Sequence, residues 1–309
     1  MNPSQYRIAA IVPCYNEELT VAHVVAGLKQ AVPDIIVYVY DNNSTDRTTE
    51  VAKGAGAVVR CESRVGKGNA IRRAFADVDA DIYVMIDGDD TYDTAALPQM
   101  ITTLIDGNLD HVLGVRTPGE VDAYRKGHEA GNRMFNRLVG RLFGESVTDM
   151  LSGYRVMSRR FVKSFPALSH GFEVETELTV HCVNLRVPQA EVPVGFKDRP
   201  AGSESKLRTY HDGFRILRLI GSLLQYERPV FFYSVIAAVF AIAGIALGIP
   251  VIITFIQTGL VPRLPTALLA SSLMIIAVLL FMIGMLMGAL LRGRQETARL
   301  AYLSHGGVR

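Results

Sequence analysis

The sequence contains no tryptophan, and its three cysteines, Cys14, Cys61 and Cys182, form no C-x-x-C pair. Odd in number and far apart, they exclude a disulfide framework and a zinc centre built on paired thiolates, and they fit a reducing compartment. No G-x-G-x-x-G follows the first apolar run, which disfavours a Rossmann dinucleotide site. Gly66-Lys67-Gly68 lacks the spacing and the following Ser or Thr of a P-loop. Neither sign of charge dominates: Lys and Arg total 32, Asp and Glu 30, for a net +2, so no nucleic-acid partner is expected. Charge is also missing locally, from Pro229 to Pro262 and again between Arg263 and Arg292.

Each of those uncharged runs exceeds the roughly 20 apolar residues needed to cross a bilayer, and helices of a soluble core rarely stay so apolar on every face. Two transmembrane helices are predicted, about 230–256 and 267–291, forming a C-terminal hairpin. Lys206, Arg208, Arg215, Arg218 and Arg228 precede the first, and Arg292, Arg294, Arg299 and Arg309 follow the second, while the connecting loop carries only Arg263. The positive-inside rule then places both termini and everything before residue 229 in the cytoplasm. Met1 to Arg7 is polar, so no N-terminal signal is expected. The predicted organisation is a domain over 1–208, a juxtamembrane amphipathic helix over 209–228 with Phe214, Leu217, Ile220 and Leu224 on one face, and the spans with a short cytosolic tail over 229–309. A second amphipathic stretch, Lys126 to Gly144, either packs on the sheet or rests on an anionic leaflet.

Before the spans, apolar runs alternate with helical patterns. Ile8 to Pro13 reads as a strand, followed by a helix to about Gln30, a strand at Ile35 to Tyr40, a helix from Thr45 to Lys53, a strand near Ala57 to Arg60, a helix opening at Gly66 to Asn69, and a strand ending at Asp87. This spacing predicts a parallel α/β sheet. Polar clusters follow successive strands at Pro13 to Glu17, Asp41 to Asp46 and Asp87 to Asp90, where open sheets collect ligands. Asp87 and Asp89 can turn oxygens towards one point, which suits a hard divalent cation that also grips phosphate. The same acids equally read as a turn capping a helix near Thr94.

Taken as an ordered set, Pro13-Cys14-Tyr15-Asn16-Glu17-Glu18, Asp41 to Asp46, Gly66-Lys67-Gly68-Asn69 and Asp87-Gly88-Asp89 resemble the motif series of family 2 glycosyltransferases with the GT-A fold. Ser152-Gly153-Tyr154-Arg155, Ser203-Glu204-Ser205-Lys206-Leu207 and the two spans resemble the polyprenyl-phosphate glycosyltransferases, the group that includes dolichyl-phosphate mannose synthase. The resemblance implies a Rossmann-like, mostly parallel GT-A sheet on the cytosolic side and a UDP- or GDP-linked nucleotide sugar. Pro13, Tyr15, Asn16, Glu17, Asp41, Asn43, Lys67, Asp87 and Gly88 would hold that donor. Asp87 and Asp89 would hold Mg2+ or Mn2+, with Asp89 also counted as catalytic. The second loop reads Asp41-Asn42-Asn43 where the family often has Asp-Asp-Gly, and Thr91 stands where related enzymes often place a Gln near the metal. A hydroxyl, a water or Asp90 is left to fill that place.

In the same group an Arg after the next strand serves the phosphates, which implies Arg116 here, delivered by the run from Asp110 to Val115. Asp149 stands where the family has an acid near the reaction centre; positioning the acceptor, balancing Arg155 and forming a structural ion pair are all open to it. Ser152, Arg155, Arg199 and Lys206 would join Arg116 at the acceptor phosphate, with 199–208 as a loop closing over the diphosphate. Glu173 and Glu175 are weaker candidates, because acids at a helix start often serve only the dipole. The expected product is an inverted sugar linked to undecaprenyl or dolichyl phosphate. Alternatives are a membrane-tethered glycosyltransferase with another acceptor and a non-catalytic nucleotide-sugar scaffold for a lipid flippase; a flippase partner and a homo-oligomer are compatible with the pattern. A processive polysaccharide synthase would carry Gln-x-x-Arg-Trp, which a chain without Trp cannot supply.

Overall fold

The computed structural model describes residues 5–118, 148–168, 173–197, 221 and 224–307. The chain divides into two units, Met1–Ser205 with Ala298–Arg309, and Lys206–Thr297. The predicted helices at 126–144 and 209–220 lie outside the described residues.

In the first unit, strands β1 (Ile8–Cys14), β2 (Ile36–Asp41), β3 (Val58–Cys61), β4 (Ile82–Met85), β5 (His111–Pro118), β6 (Arg155–Ser158) and β7 (Gln189–Phe196) form a seven-stranded sheet ordered β3-β2-β1-β4-β6-β5-β7. Strands β1, β2, β3 and β4 pair in parallel, as expected, and β1 and β4 are continuous apolar runs because helices cover both faces. Helix α1 (Val21–Ala31) buries Val21, Val24, Val25 and Leu28, and α4 (Leu97–Asp106) buries Leu97, Met100, Ile101, Leu104 and Ile105. These spacings give each helix one apolar stripe, and both stripes join one core cluster with Val12, Val39 and Val84. The opposite face is covered by α3 (Lys67–Asp77), α5 (Arg159–Ser164) and α6 (Val174–Leu185), through Ile71, Phe75, Phe161 and Leu178. Helix α2 (Thr48–Gly54) starts later than the sequence suggests, because the residues before it bond to another loop: Thr45 N donates to Asn16 Oδ1 at 2.8 Å, and Arg47 N to Glu18 Oε2 at 2.9 Å.

Strand β6 runs antiparallel to both β4 and β5, with Met85 and Leu113 both opposite Arg155. That reversal carries the segment entering β6, residues 148–154, to the edge where β1, β2, β4 and β5 end. Among the described residues, one edge therefore gathers the loops after β1, β2, β3 and β4 with the segment entering β6. Asn16, Asn43 and Asp90, one in each loop after β1, β2 and β4, adopt positive φ of 54°, 65° and 57°. Asn and Asp tolerate that left-handed region better than other non-glycine residues.

Two histidines lie under the second face. His111 and His181 each stack near Phe161, with ring centroids 5.3 Å away in both cases. Burial, with the Arg155 guanidinium beside it, lowers His111 to about 3, and burial alone lowers His181 to about 4. Both are therefore neutral when folded, whereas the unfolded chain protonates them near pH 6.5. Their contribution is complete above about pH 6.5 and is lost as pH falls towards the folded values, at up to about 1.4 kcal/mol per pH unit for each histidine. Denaturation midpoints are expected to drop from about pH 7 to about pH 5, and His181→Asn is expected to flatten that slope by about half.

The last residues also belong to this unit. Asp110, fully buried, accepts from Ser158 Oγ at 2.6 Å, from Arg160 Nη2 at 2.6 Å and from the Tyr302 hydroxyl at 2.7 Å. The Arg160 guanidinium lies over the Tyr302 ring at 4.7 Å, Arg299 donates to the Leu185 carbonyl at 3.0 Å, and Ala298 and Tyr302 pack on the second core cluster.

The second unit contains α7 (Pro229–Thr258) and most of α8 (Leu264–Leu303), of 30 and 40 residues, both long and apolar enough to cross a membrane. Only 11% of the most apolar window of each is buried, so the aliphatic surface points outwards, unlike that of a helix in a soluble core. The buried positions are small: Ala237 and Gly244 on α7, and Ala270, Ala277 and Gly284 on α8. They recur every seven residues and let the helices approach, as small residues do between transmembrane helices. A methyl group at Gly284 would come within 2.9 Å of Tyr233 Cβ.

Candidate active site

The loops after β1 and β2 are laced together. Asn16 N donates to Ser44 Oγ at 2.9 Å, Glu17 N to Thr48 Oγ1 at 2.8 Å, and Arg47 N to Glu18 Oε2 at 2.9 Å. Asn42 spans from the second loop to the third: its amide nitrogen donates to the carbonyls of Glu62 and Arg64, at 2.9 and 2.7 Å, and its oxygen accepts from Gly66 N at 2.6 Å. A carboxylate there could accept but not donate. The departure from Asp-Asp-Gly therefore has a structural counterpart, since Asn42 fastens the turn that opens α3. Asn43 donates to the Glu62 and Ser63 carbonyls at 3.2 and 3.0 Å.

Asp41 closes β2 opposite Cys14, and its Oδ1 is buried with no hydrogen-bond partner among the described residues. Buried acceptors are rarely left so, and an orphan carboxylate oxygen suits a base N–H or a ribose hydroxyl. Burial pushes the Cys14 thiol well up, and Glu17, Asp41, Asp87 and Asp89 push it further. It therefore stays protonated and is no nucleophile. The same four acids mark the concentration of negative charge at this edge. Pro13 lies within β1 beside Tyr40, and Tyr15 is exposed beyond it.

Asp89 is nearly buried, and its Oδ1 accepts from the Thr91 hydroxyl at 2.7 Å and from Thr91 N at 3.3 Å. Thr91 thus orients Asp89, while Asp90 pairs with Lys197 at 2.7 Å. Gly88 is held through its carbonyl, which accepts from Thr20 Oγ1 at 2.7 Å; Thr20 Oγ1 also contacts Glu17 Oε2 at 3.2 Å. Asp87 forms an ion pair with Lys67, whose ammonium also pairs with Glu175 on α6. Among the described residues no three His, Cys, Asp or Glu side chains are grouped to hold a metal by themselves. The hard oxygens of Asp87 and Asp89 fit a divalent cation that takes its remaining ligands from a diphosphate and water.

Gly153 lies against Asp87. A Cβ there would stand 2.5 Å from Asp87 Oδ2 and 2.8 Å from its Cγ. Gly153 N donates to the Tyr92 hydroxyl at 2.8 Å, and Tyr92, pushed up to about 12 chiefly by burial, stacks edge-on against Tyr154 and Phe196. Gly153→Ala is expected to displace the Asp87 carboxylate, weakening Mn2+ binding and transfer by about 10- to 100-fold, the usual cost of disturbing a group that orients a ligand. Mn2+ titration followed by electron paramagnetic resonance measures the shift, and an unchanged unfolding midpoint separates it from misfolding.

Arg116, at the same edge, grips Asp149 with a two-pronged pair, Nε to Oδ2 and Nη2 to Oδ1, both 2.7 Å, and its guanidinium lies 5.3 Å from the Phe196 ring. Asp149 therefore balances Arg116 rather than Arg155. Arg155 and Ser152, expected at an acceptor phosphate, are instead fully buried. Arg155 donates to the carbonyls of Ser152, Met150 and Glu175, each at 3.0 Å, and to Thr179 Oγ1 at 2.9 Å, while Ser152 Oγ donates to the Gly114 carbonyl at 2.5 Å. Both fasten the 148–154 segment from inside. Arg199 and Lys206 lie outside the described residues. Tyr92 and Thr20 reach the site without having been singled out for it, and Glu175, a weaker candidate in the sequence, joins it through Lys67; the distance in sequence between Lys67 and Glu175 hides that pair from any local pattern.

Residues 9–165 match the family model described as glycosyl transferase family 2. The glycosyltransferase AglJ of Haloferax volcanii is 32% identical over 80% of this chain and 82% of its own length. A dolichyl-phosphate hexose transferase of the same organism is 29% identical, covering 72% of this chain and 95% of that protein. Among solved structures, a glucosyl-3-phosphoglycerate synthase from Mycobacterium tuberculosis in complex with Mn2+ and UDP-glucose superposes with a TM-score of 0.58 at 24% identity, over 72% of this chain and 79% of that one. That likeness extends to the GT-A-like arrangement of the sheet.

Proposed function

Because this chain belongs to glycosyl transferase family 2, we propose that it transfers a sugar from a UDP- or GDP-linked donor to a membrane polyprenyl phosphate. The observation that carries the donor half is the orphaned Asp41 oxygen, on the same sheet edge as the Asp87–Asp89 turn. The acceptor half is supported by the two long apolar helices and by the relative named for dolichyl phosphate. On this reading 1–208 is the cytosolic catalytic domain, 209–228 lies at the membrane surface, and 229–309 spans it twice with both termini inside.

Asp41 accepts from the base or ribose, Tyr15 offers its ring as a stacking surface, and Glu17 lies beside Thr20 under the same loop. Asp87 and Asp89 would hold Mg2+ or Mn2+ with the donor diphosphate, and the bound ion supplies positive charge against the leaving group. A lipid phosphate is largely dianionic at neutral pH and requires no strong base. Its oxygen forms the new bond to the anomeric carbon as the bond to the diphosphate oxygen breaks, so the configuration inverts. Arg116 offsets the repulsion between the two anionic substrates, and Asp149 keeps its guanidinium planar to the site. Arg199 and Lys206 would complete the cationic set in the closing loop.

The test is a panel of radiolabelled UDP- and GDP-sugars with undecaprenyl or dolichyl phosphate, with and without chelator. Label in the organic extract that depends on a divalent ion is expected. Label appearing only in water-soluble acceptors overturns the lipid assignment, and donor binding without any transfer favours a scaffold.

A further inference from the structure

The ammonium of Lys67 lies beside Asp87, one of the two carboxylates that would hold a divalent ion, and it is shared. Lys67 is the first residue of α3, and its Nζ bonds at once to Asp87 Oδ1 and to Glu175 Oε1. The three side chains are not equivalent. Asp87 is a quarter exposed, at 26%, whereas Glu175 is nearly buried, at 5%, behind the ammonium. The second oxygen of Glu175 is buried and has no hydrogen-bond partner among the described residues. The cluster thus holds one cation between an outward carboxylate and an inward one, and the inward one has an acceptor to spare. Glu175 is itself fixed, because its backbone carbonyl accepts from the buried Arg155 guanidinium at 3.0 Å.

We propose that Lys67 is a resident cation that competes with the divalent ion for Asp87, and that Glu175 is the positioning residue onto which the ammonium withdraws when donor and metal arrive. This rests on the function proposed above and deepens it by naming what sets metal affinity. A divalent ion placed at Asp87 with Lys67 fully engaged there would meet a like charge at contact distance; withdrawal towards Glu175 relieves that repulsion at no cost in unpaired buried charge. Without metal, Lys67 neutralises Asp87 and keeps it from joining Asp89 in an uncompensated pair of acids. Glu175 touches neither donor nor acceptor and acts through Lys67 alone.

The experiment is Mn2+ binding to the full-length protein in detergent, read by electron paramagnetic resonance with and without nucleoside diphosphate, on four proteins: wild type, Glu175→Gln, Lys67→Met and the double variant. Glu175→Gln removes the inward carboxylate and leaves the ammonium paired with Asp87, and the Mn2+ dissociation constant is expected to rise about 10-fold or more. Lys67→Met is expected to tighten Mn2+ binding in the absence of nucleotide, and the double variant to lie nearer Lys67→Met than Glu175→Gln. Unchanged Mn2+ affinity in both single variants, with their unfolding midpoints intact, overturns the proposal. So does a Lys67→Met effect that appears only when nucleotide is present, because that is the behaviour of a simple phosphate contact. Failure of the underlying function looks different: wild type that binds no Mn2+ at all, or binds it equally well after Asp87→Asn.

Discussion

Asp89→Asn is expected to lower sugar transfer by about 1,000-fold while leaving the unfolding midpoint within about 1 kcal/mol of wild type. The substitution keeps size and shape, and Asn retains an oxygen that can accept from the Thr91 hydroxyl, now 2.7 Å from Asp89 Oδ1. What disappears is the negative charge that would attract the divalent ion. A neutral amide oxygen is a weak ligand for a hard cation, and one carboxylate, Asp87, already contends with Lys67. Initial rates at saturating metal, with denaturation curves of the same preparations, separate loss of chemistry from loss of fold. Activity within about 10-fold of wild type would remove Asp89 from the metal and leave the acidic turn as a helix cap.

Arg155→Met should act on the other quantity. The guanidinium is 0% exposed, and the partners it satisfies are neutral: three backbone carbonyls, a threonine hydroxyl and the His111 ring. Methionine fills much of the volume but leaves those carbonyls unpaired in the interior, each at about 1–3 kcal/mol, so a total loss of about 4 kcal/mol is expected. For a domain of ordinary stability that is a large fraction of the whole. The measurement is the denaturation midpoint, with the KM for lipid acceptor determined on the fraction that remains folded. An unchanged KM with a lowered midpoint is the expected result. A raised KM with an unchanged midpoint would return Arg155 to the acceptor phosphate.

That contrast shows where local pattern carries information and where it stops. The alternation from Ile8 to Asp87 was legible because each strand is a continuous apolar run and each polar cluster directly follows one. The parallel pairing of β1 to β4 and the edge loops follow from that alternation, whereas the strand order does not. Asp87 and Asp89 could be singled out only as one member of an ordered series of polar clusters, each directly after a strand, because two acids in a turn read equally well as a helix cap. Arg155 was misplaced for the opposite reason. Its motif promises a charged group at the edge, but β6 runs against its neighbours, so Arg155 enters the sheet beside Met85 and its side chain turns inward. Strand direction across residues 119–147 is not encoded in any local spacing. Asn42 likewise looks like a lost carboxylate in sequence, and only its bonds to Glu62, Arg64 and Gly66 explain the amide.

The clasp of Tyr302 and Arg160 on Asp110 bears on how the protein is made. The segment that supplies it, residues 298–309, begins in the last turns of α8 and is translated after the apolar stretches of both long helices, although it belongs to the same compact unit as Met1–Ser205. The buried aspartate must therefore wait for its phenol until both apolar stretches have been made. Until then Arg160 is its cationic partner among the described residues, and the sheet-bearing unit completes its packing only after the long helices have been made.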